Sequence, residues 1–239
     1  MSRCRHLRVG RWNVPGRPIA ILVKFDGMYA VKNEFYGKMW DLYGVDSLHA
    51  YGDYDEGCAF AHAAGIVIES IVNTLGTPQN RTIAHFDEWT MGMGLLYVKW
   101  KLPQVGTVFT THATVMGRCI AGNHLPLYTD LTKFNADDLA RQFNVVAKHS
   151  IEKAAAAYHD AFVTVSDITA NECKYLLGRE PDGVTPNGFE NDFVWAGEEY
   201  YAKRDEARRA MISVAEACLG EKFTGDPLIV GTSGRYEFR

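Results

Sequence analysis

The most informative segment for the fold is VGTVFTTHATVMGR, residues 105–118. Its first half is apolar and rich in β-branched residues, which is typical of a buried strand. The strand-like run stops at Thr111 and His112, and Thr114 can then cap a helix that carries Arg118. A strand that passes into a helix through so short a turn is a building unit of parallel sheets. The segment therefore predicts an α/β protein.

Strand-like and helix-like segments alternate on both sides of that segment. Strands are predicted at 17–25, 81–86, 105–112, 161–166 and 182–188, and residues 227–239 open a last strand. Helices are predicted at 34–44, 55–75, 87–102, 144–159, 167–178 and 198–220. This alternation predicts a Rossmann-like parallel sheet with helices on both faces, in which 17–25 is a buried strand.

The bulk composition narrows the classes of protein. A chain of 239 residues with 47% hydrophobic residues can form one large domain or two small ones. A net charge of −4 gives no reason to expect binding to nucleic acid or to an anionic membrane. The longest apolar run, GIVIESIV (65–72), is interrupted by Glu69 and Ser70, so no membrane span is predicted. Five scattered cysteines without a CxxC pair favour a reducing, cytoplasmic setting.

Polar residues follow several predicted strands at the point where each strand ends. In a parallel sheet these carboxyl ends share one edge, where ligands bind. The residues at this edge are His85 with Asp87 and Glu88, Thr111 with His112, Ser166 with Asp167, Asn187 with Gly188, and Gly234 with Arg235. Caps and turns explain a serine–aspartate pair, but two histidines and an arginine indicate a binding site.

His112 and Arg118 form the strongest candidate pair. A helix N-terminus at the end of a strand attracts anions, and Arg118 is close enough to bind one through two hydrogen bonds. His112 can donate or accept a hydrogen bond without carrying charge. Taken singly, His112 fits a core residue and Arg118 a surface residue. Together they indicate a pocket for a ligand with hydroxyl and phosphate groups.

Glu88 and Trp89 support two interpretations equally. Acidic residues at a helix start complement the helix dipole, and a tryptophan commonly belongs to the core. A carboxylate beside a tryptophan also suits a sugar, whose apolar face packs on the ring. Asp87 and Glu88 do not make a convincing acid–base pair, since neighbours on a helix point in different directions.

Asn187 and Arg235 give weaker signals. The segment PNG (186–188) is a turn by default, although its glycine lets a ligand approach the backbone. The segment GTSGR (231–235) is similar to an anion site without matching a nucleotide-binding motif. The histidines are too dispersed to predict a metal site, and no cofactor is predicted.

Seven segments resemble the glycogen synthases of the animal and fungal type, in the same order along the chain. They are GRWNVPGRP (10–18), AHFDEWTMGMG (84–94), FTTHATVMGR (109–118), HSIEKAAAAYHD (149–160), FVTVSDITANE (162–172), REPDGVTPNGF (179–189) and GRYEFR (234–239). The combination of TTHATxxGR, VTVSxIT and PDGVxPNG is highly specific, and the resemblance covers nearly the whole chain.

The resemblance implies a GT-B glycosyltransferase, which has two Rossmann-like domains facing each other across a cleft. It implies retaining transfer of glucose from UDP-glucose to an α-1,4-glucan such as glycogen, without a metal, by a cytoplasmic homo-oligomer. His112 is then expected to contact the donor glucose and stabilise its developing positive charge, with Arg118 in the same pocket. The other implied residues are Arg235 and Asn187 on the donor side, and Glu88 and Trp89 along the cleft.

The chain departs from the family pattern at both ends. From the resemblance, the sequence is expected to start after the family's glycine-rich donor loop (KVGG) and to end near the start of the second domain. Residues 1–226 are expected to form most of the N-terminal domain, without its first strand or strands, and 227–239 the start of the C-terminal domain. Such a fragment is expected to be inactive alone, because half a cleft cannot hold donor and acceptor together.

Other functions stay open at this point. Another retaining GT-B enzyme, of the sucrose- or trehalose-forming type, would share the fold, although TTHATVMGR (110–118) argues against it. A non-catalytic module would bind a glucan or a nucleotide as it stands. An incomplete gene product without activity is the remaining possibility.

Overall fold

A computed structural model of the chain describes residues 7–77, 79, 81–189 and 194–231. They belong to two compact units, of which the first ends at Pro186 and the second begins at Asn187. The strands are β1 (Leu7–Arg11), β2 (Ile19–Val23), β3 (Ile83–Asp87), β4 (Gly106–Thr111), β5 (Ala161–Thr164) and β6 (Gly183–Val184). The α-helices are α1 (Lys32–Tyr43), α2 (Tyr54–Leu75), α3 (Gly92–Lys101), α4 (Val115–Gly122), α5 (Leu127–Asp130), α6 (Ala136–Gln142), α7 (Val146–Tyr158), α8 (Asp167–Glu172) and α9 (Glu198–Leu219).

The first unit is built on a parallel sheet in the order β3-β4-β5-β6, flanked by helices. Phe86 lies opposite Phe109, and Phe109 lies opposite Phe162, so three phenylalanines form one row across three strands. All three are buried, and the rings of Phe109 and Phe162 are 5.5 Å apart. A slip of one residue would turn this row away from the core, so the row fixes the register. The predicted α/β class is confirmed.

The prediction of a buried strand at 17–25 is wrong. Strand β2 pairs antiparallel with β1 in a separate two-stranded sheet, and Ile19 and Leu22 are each 66% exposed. A continuous apolar run cannot by itself distinguish a strand buried on both faces from one in a hairpin. β1 was missed because its sequence, LRVGR, combines two arginines with a glycine.

The structure also corrects the expectation that no segment is long and apolar enough to cross a membrane. Helix α2 passes that test by length and composition, because alanines before Gly65 extend the apolar run. The helix is nevertheless packed closely against α3: a Cβ built at Gly94 would lie 2.7 Å from the carbonyl oxygen of Ala61. Core helices of folded domains pass the same test, so it is weak evidence for a membrane span.

Several helix boundaries follow their sequence signals. Helix α1 ends at Gly44, whose φ of 69° gives the left-handed conformation that glycine adopts at a helix end. Helix α4 is capped as predicted, with the Thr114 side chain accepting a hydrogen bond from the Gly117 N–H. The helix predicted from residue 167 continues through a π-helical turn at Cys173–Leu177 and is capped by Ser166.

Other parts differ from the predictions. The helix expected from 87 begins at Gly92, because Asp87 completes β3 and a 3-10 turn occupies Trp89–Met91. Helices α5 and α6 were not predicted. Residues 227–231 have no regular structure, and the rest of the last predicted strand lies outside the described residues. In the second unit, the described helix α9 has no buried residues. The domain boundary at 226 stays a prediction.

Candidate functional site

The adjacent ends of β3 and β4 assemble the candidate site. The two strands are parallel, and Asp87 lies opposite Thr110, so the residues that follow emerge side by side. The N–H of Glu88 donates to the carbonyl oxygen of Thr110 over 2.8 Å, one residue beyond the end of β3. Glu88 then turns away with φ 64° and ψ 166°, a conformation that residues other than glycine rarely adopt.

His112 lies at the tip of β4, between the two acidic residues. Its backbone N–H donates to Glu88 Oε1 over 2.9 Å, and its ring Nε2 lies 3.2 Å from Asp87 Oδ1. Since the Asp87 carboxylate can only accept, this contact favours the tautomer with the proton on Nε2. The His112 side chain is 38% exposed, so it can be reached from solvent.

Arg118 reaches the same carboxylate from helix α4. Its Nη2 lies 3.3 Å from Glu88 Oε1, the oxygen that also accepts the His112 N–H. The His112 backbone and the Arg118 guanidinium therefore contact the same carboxylate oxygen, while a shared ligand pocket for the two side chains stays a prediction. The Arg118 side chain is 59% exposed and can exchange Glu88 for an anionic ligand.

The start of helix α4 is occupied by groups of the protein itself. The Val115 N–H donates to Glu152 Oε2 over 2.9 Å, and the Gly117 N–H donates to the Thr114 hydroxyl. The expectation that this helix N-terminus would bind an external anion is therefore wrong for those two N–H groups. Arg118 is the group that can still bind an anion here.

Two buried glutamates support the turn between β4 and α4. The hydroxyl of Thr111 donates to Glu152 Oε1 over 3.1 Å, and the hydroxyl of Thr114 donates to Glu172 Oε2 over 2.9 Å. Burial, followed by the nearby charge of Glu88, raises the pKa of Glu152 to about 8. Sequence reasoning missed both glutamates. The signal for Glu152 is its place just before the four alanines of α7, where the helix is expected to be buried.

Trp89 is half-buried and packs against the hydrophobic core of the first unit. Its ring is stacked parallel to that of buried Tyr54, with the centroids 6.0 Å apart. The ammonium group of Lys148 lies 4.8 Å from the Trp89 ring centroid and is paired with Asp53. These partners leave the sugar-binding role of Trp89 a prediction without a contact in its favour.

The other sequence candidates are Asn187, Arg235 and His85. Asn187 is exposed and belongs to the second unit. Arg235 lies outside the described residues. His85 points its Nε2 at the Thr110 hydroxyl, 2.6 Å away, from within β3 rather than from its end. Among the described residues, no group of three or more His, Cys, Asp or Glu side chains could hold a metal ion.

Chemically, the site combines a hydrogen-bonding imidazole, an arginine and two carboxylates on an accessible edge. The arginine can bind a phosphate group, the imidazole and carboxylates can bind hydroxyl groups, and Asp87 and Glu88 add negative charge beside them. Such a set suits a phosphorylated sugar.

Comparisons with known proteins identify the family of the chain. The family model described as glycogen synthase matches residues 1–239. The chain is 35% identical over 189 residues to the glycogen (starch) synthase isoform 2 of Saccharomyces cerevisiae, covering 78% of this chain and 26% of that protein. It is 31% identical to the glycogen (starch) synthase of Neurospora crassa, covering 96% of this chain and 33% of that protein. It is 33% identical to the glycogen (starch) synthase of Dictyostelium discoideum, covering 98% of this chain and 26% of that protein. The chain thus spans a quarter to a third of the length of these relatives.

Proposed function

The chain belongs to the glycogen synthase family, and we propose that it forms part of an enzyme that transfers glucose from UDP-glucose to the non-reducing end of an α-1,4-glucan with retention. The whole protein is proposed to be a homo-oligomer in the cytoplasm. The observation that carries it is the convergence of His112 and Arg118 on Glu88 at the carboxyl edge of the sheet.

His112 has the role of contacting the donor glucose. Its ring is held by Asp87 on one side, so the orientation of the imidazole is set before a sugar arrives. Positive charge develops on the sugar ring as the bond to the diphosphate breaks. The carboxylates of Asp87 and Glu88 lie next to His112 and favour that charge electrostatically.

Arg118 has the complementary role of meeting negative charge. A diphosphate leaving group needs cationic donors aimed at its oxygens, and a guanidinium can supply two parallel hydrogen bonds. On binding, the phosphate replaces Glu88 as the partner of Arg118. Arg235 and Asn187 are proposed to complete the donor site, and Trp89 to support the cleft from within.

Ligand binding to the 239-residue chain tests the proposal. Because the chain spans only part of the length of its relatives, we expect weak affinity, with a Kd on the order of 1 mM for UDP-glucose. The His112 and Arg118 side-chain NMR signals should shift on titration, and His112→Ala should weaken binding. Glucose transfer to glycogen is measured alongside, with little turnover expected. Absence of any shift at His112 and Arg118 up to tens of millimolar UDP-glucose would refute the assignment of these residues.

A further inference from the structure

Glu152 contacts both ends of the turn that carries His112, although it lies fully buried on α7. One carboxyl oxygen accepts the hydroxyl of Thr111, the last residue of β4, over 3.1 Å. The other accepts the N–H of Val115, the first residue of α4, over 2.9 Å. A single carboxyl group therefore connects the last residue of β4 to the first residue of α4.

The surroundings of Glu152 connect it electrostatically to the site. Glu88 at the end of β3, Arg118 on α4 and the buried thiol of Cys173 in the turn after α8 interact with it electrostatically. The negative charge of Glu88 opposes ionisation of Glu152, whereas the positive charge of Arg118 favours it. The protonation state of Glu152 is set first by its burial, and it responds also to the charges of Glu88 and Arg118 at the candidate site.

Both protonation states can keep the two contacts, but with different hydrogen bonds. The ionised carboxylate accepts from Thr111 and Val115 together. The protonated form accepts from Val115 and donates to the Thr111 oxygen, whose own hydroxyl can turn to the carbonyl oxygen of Ala113, 3.4 Å away. Gain or loss of this proton therefore changes the hydrogen bonding of Thr111 on one side of His112, and the charge of the group that accepts the Val115 N–H on the other.

We propose that Glu152 is a positioning residue for this site, which sets the placement of His112 and Arg118 through Thr111 and Val115 without touching the substrate. The positioning role rests on the proposed function, but the coupling between Glu152 and His112 does not. Since the pKa of Glu152 is raised to about 8, the coupling has a signature in a pH range where ordinary carboxyl groups do not titrate.

NMR of the ligand-free chain tests the coupling. The ring signals of His112 and the amide signal of Val115 are followed from pH 6 to 9.5, and both should show an inflection near pH 8. Glu152→Gln should abolish that inflection, because glutamine reproduces the hydrogen bonds of the protonated form at every pH. The exposed Glu180→Gln is the matched control and should keep it. An unchanged inflection in Glu152→Gln, or none in the unsubstituted chain, would overturn the coupling.

UDP-glucose titration tests the positioning role. The unsubstituted chain should bind more weakly at pH 9 than at pH 7, whereas Glu152→Gln should bind equally at both. Glu152→Ala should lose about tenfold in affinity, as expected for two broken hydrogen bonds. Unchanged affinity in Glu152→Ala would overturn the role, and so would unchanged affinity at both pH values in the unsubstituted chain. Failure of every variant to bind would count against the proposed function and leave the ligand-free result standing.

Discussion

Arg118 Nη2 lies 3.3 Å from Glu88 Oε1, so the guanidinium that is proposed to bind an anion has a carboxylate partner within the protein. The Arg118 side chain is 59% exposed and that of Glu88 is 21% exposed, so water screens the pair. Exposed ion pairs contribute roughly 0.2–1 kcal/mol. A phosphate group that binds Arg118 must first break this ion pair, which lowers the net free energy of binding by the same amount.

Glu88→Gln should therefore strengthen the binding of UDP. Glutamine can still accept the His112 N–H through its carbonyl oxygen, but it removes the negative charge that competes for Arg118. Loss of an exposed pair predicts an increase of about 1.4- to fivefold in affinity, measured by calorimetry at low salt. Glu180→Gln serves as the control. Weaker binding in Glu88→Gln would mean that the carboxylate itself contacts the ligand.

The backbone of Glu88 gives a second prediction. At φ 64° and ψ 166° a side chain is strained by about 1–3 kcal/mol, and only glycine adopts this region readily. Glu88→Gly should therefore have a higher free energy of unfolding than Glu88→Ala, by about 1 kcal/mol, reversing the usual order of these residues. Urea unfolding of the two variants measures the difference. A less stable glycine variant would show that the turn is unstrained.

Close packing between α2 and α3 gives a third prediction. A Cβ at Gly94 would lie 2.7 Å from the Ala61 carbonyl oxygen and 3.1 Å from the Phe86 ring. Gly94→Ala should push the helices apart and cost about 1–3 kcal/mol in the free energy of unfolding. The matched control is Gly37→Ala on α1, where no atom lies within 4 Å. That change should stabilise by about 0.5–1 kcal/mol, since alanine favours helix. Equal effects in the two variants would remove the packing argument.

The strands that form the site were predictable because their signals are local. An apolar run followed by Thr111 and His112, and a threonine three residues before Gly117, are enough to place the end of β4 and the start of α4. Parallel pairing then brings Glu88 beside His112. The partner of that helix N-terminus was not predictable, because Glu152 lies 37 residues from Val115 and is brought there only by tertiary packing. The hairpin of β1 and β2 was not predicted for a related reason, since an apolar run does not reveal which strand it pairs with.

His62 gives a prediction for the pH dependence of stability. It is 9% exposed and stacked on Phe35, with ring centroids 3.7 Å apart, and burial lowers its pKa to about 4. In the unfolded chain a histidine has a pKa of about 6.5. Between these values the unfolded state binds more protons than the folded state, so the free energy of unfolding falls as the pH falls from about 6.5 to 4.

Substitution of His62 should remove this part of the acid sensitivity. The pKa shift corresponds to a loss of roughly 3 kcal/mol in the free energy of unfolding between pH 7 and 4. The loss in His62→Gln should be smaller by about that amount, even if this variant is less stable at pH 7. Urea unfolding at both pH values measures this loss for each protein. Exposed His49→Gln is the control. It should lose as much free energy of unfolding on acidification as the unsubstituted chain, because it leaves His62 and the other buried histidines, such as His149, in place. If His62→Gln and His49→Gln show equal losses on acidification, His62 is not the residue whose protonation destabilises the fold.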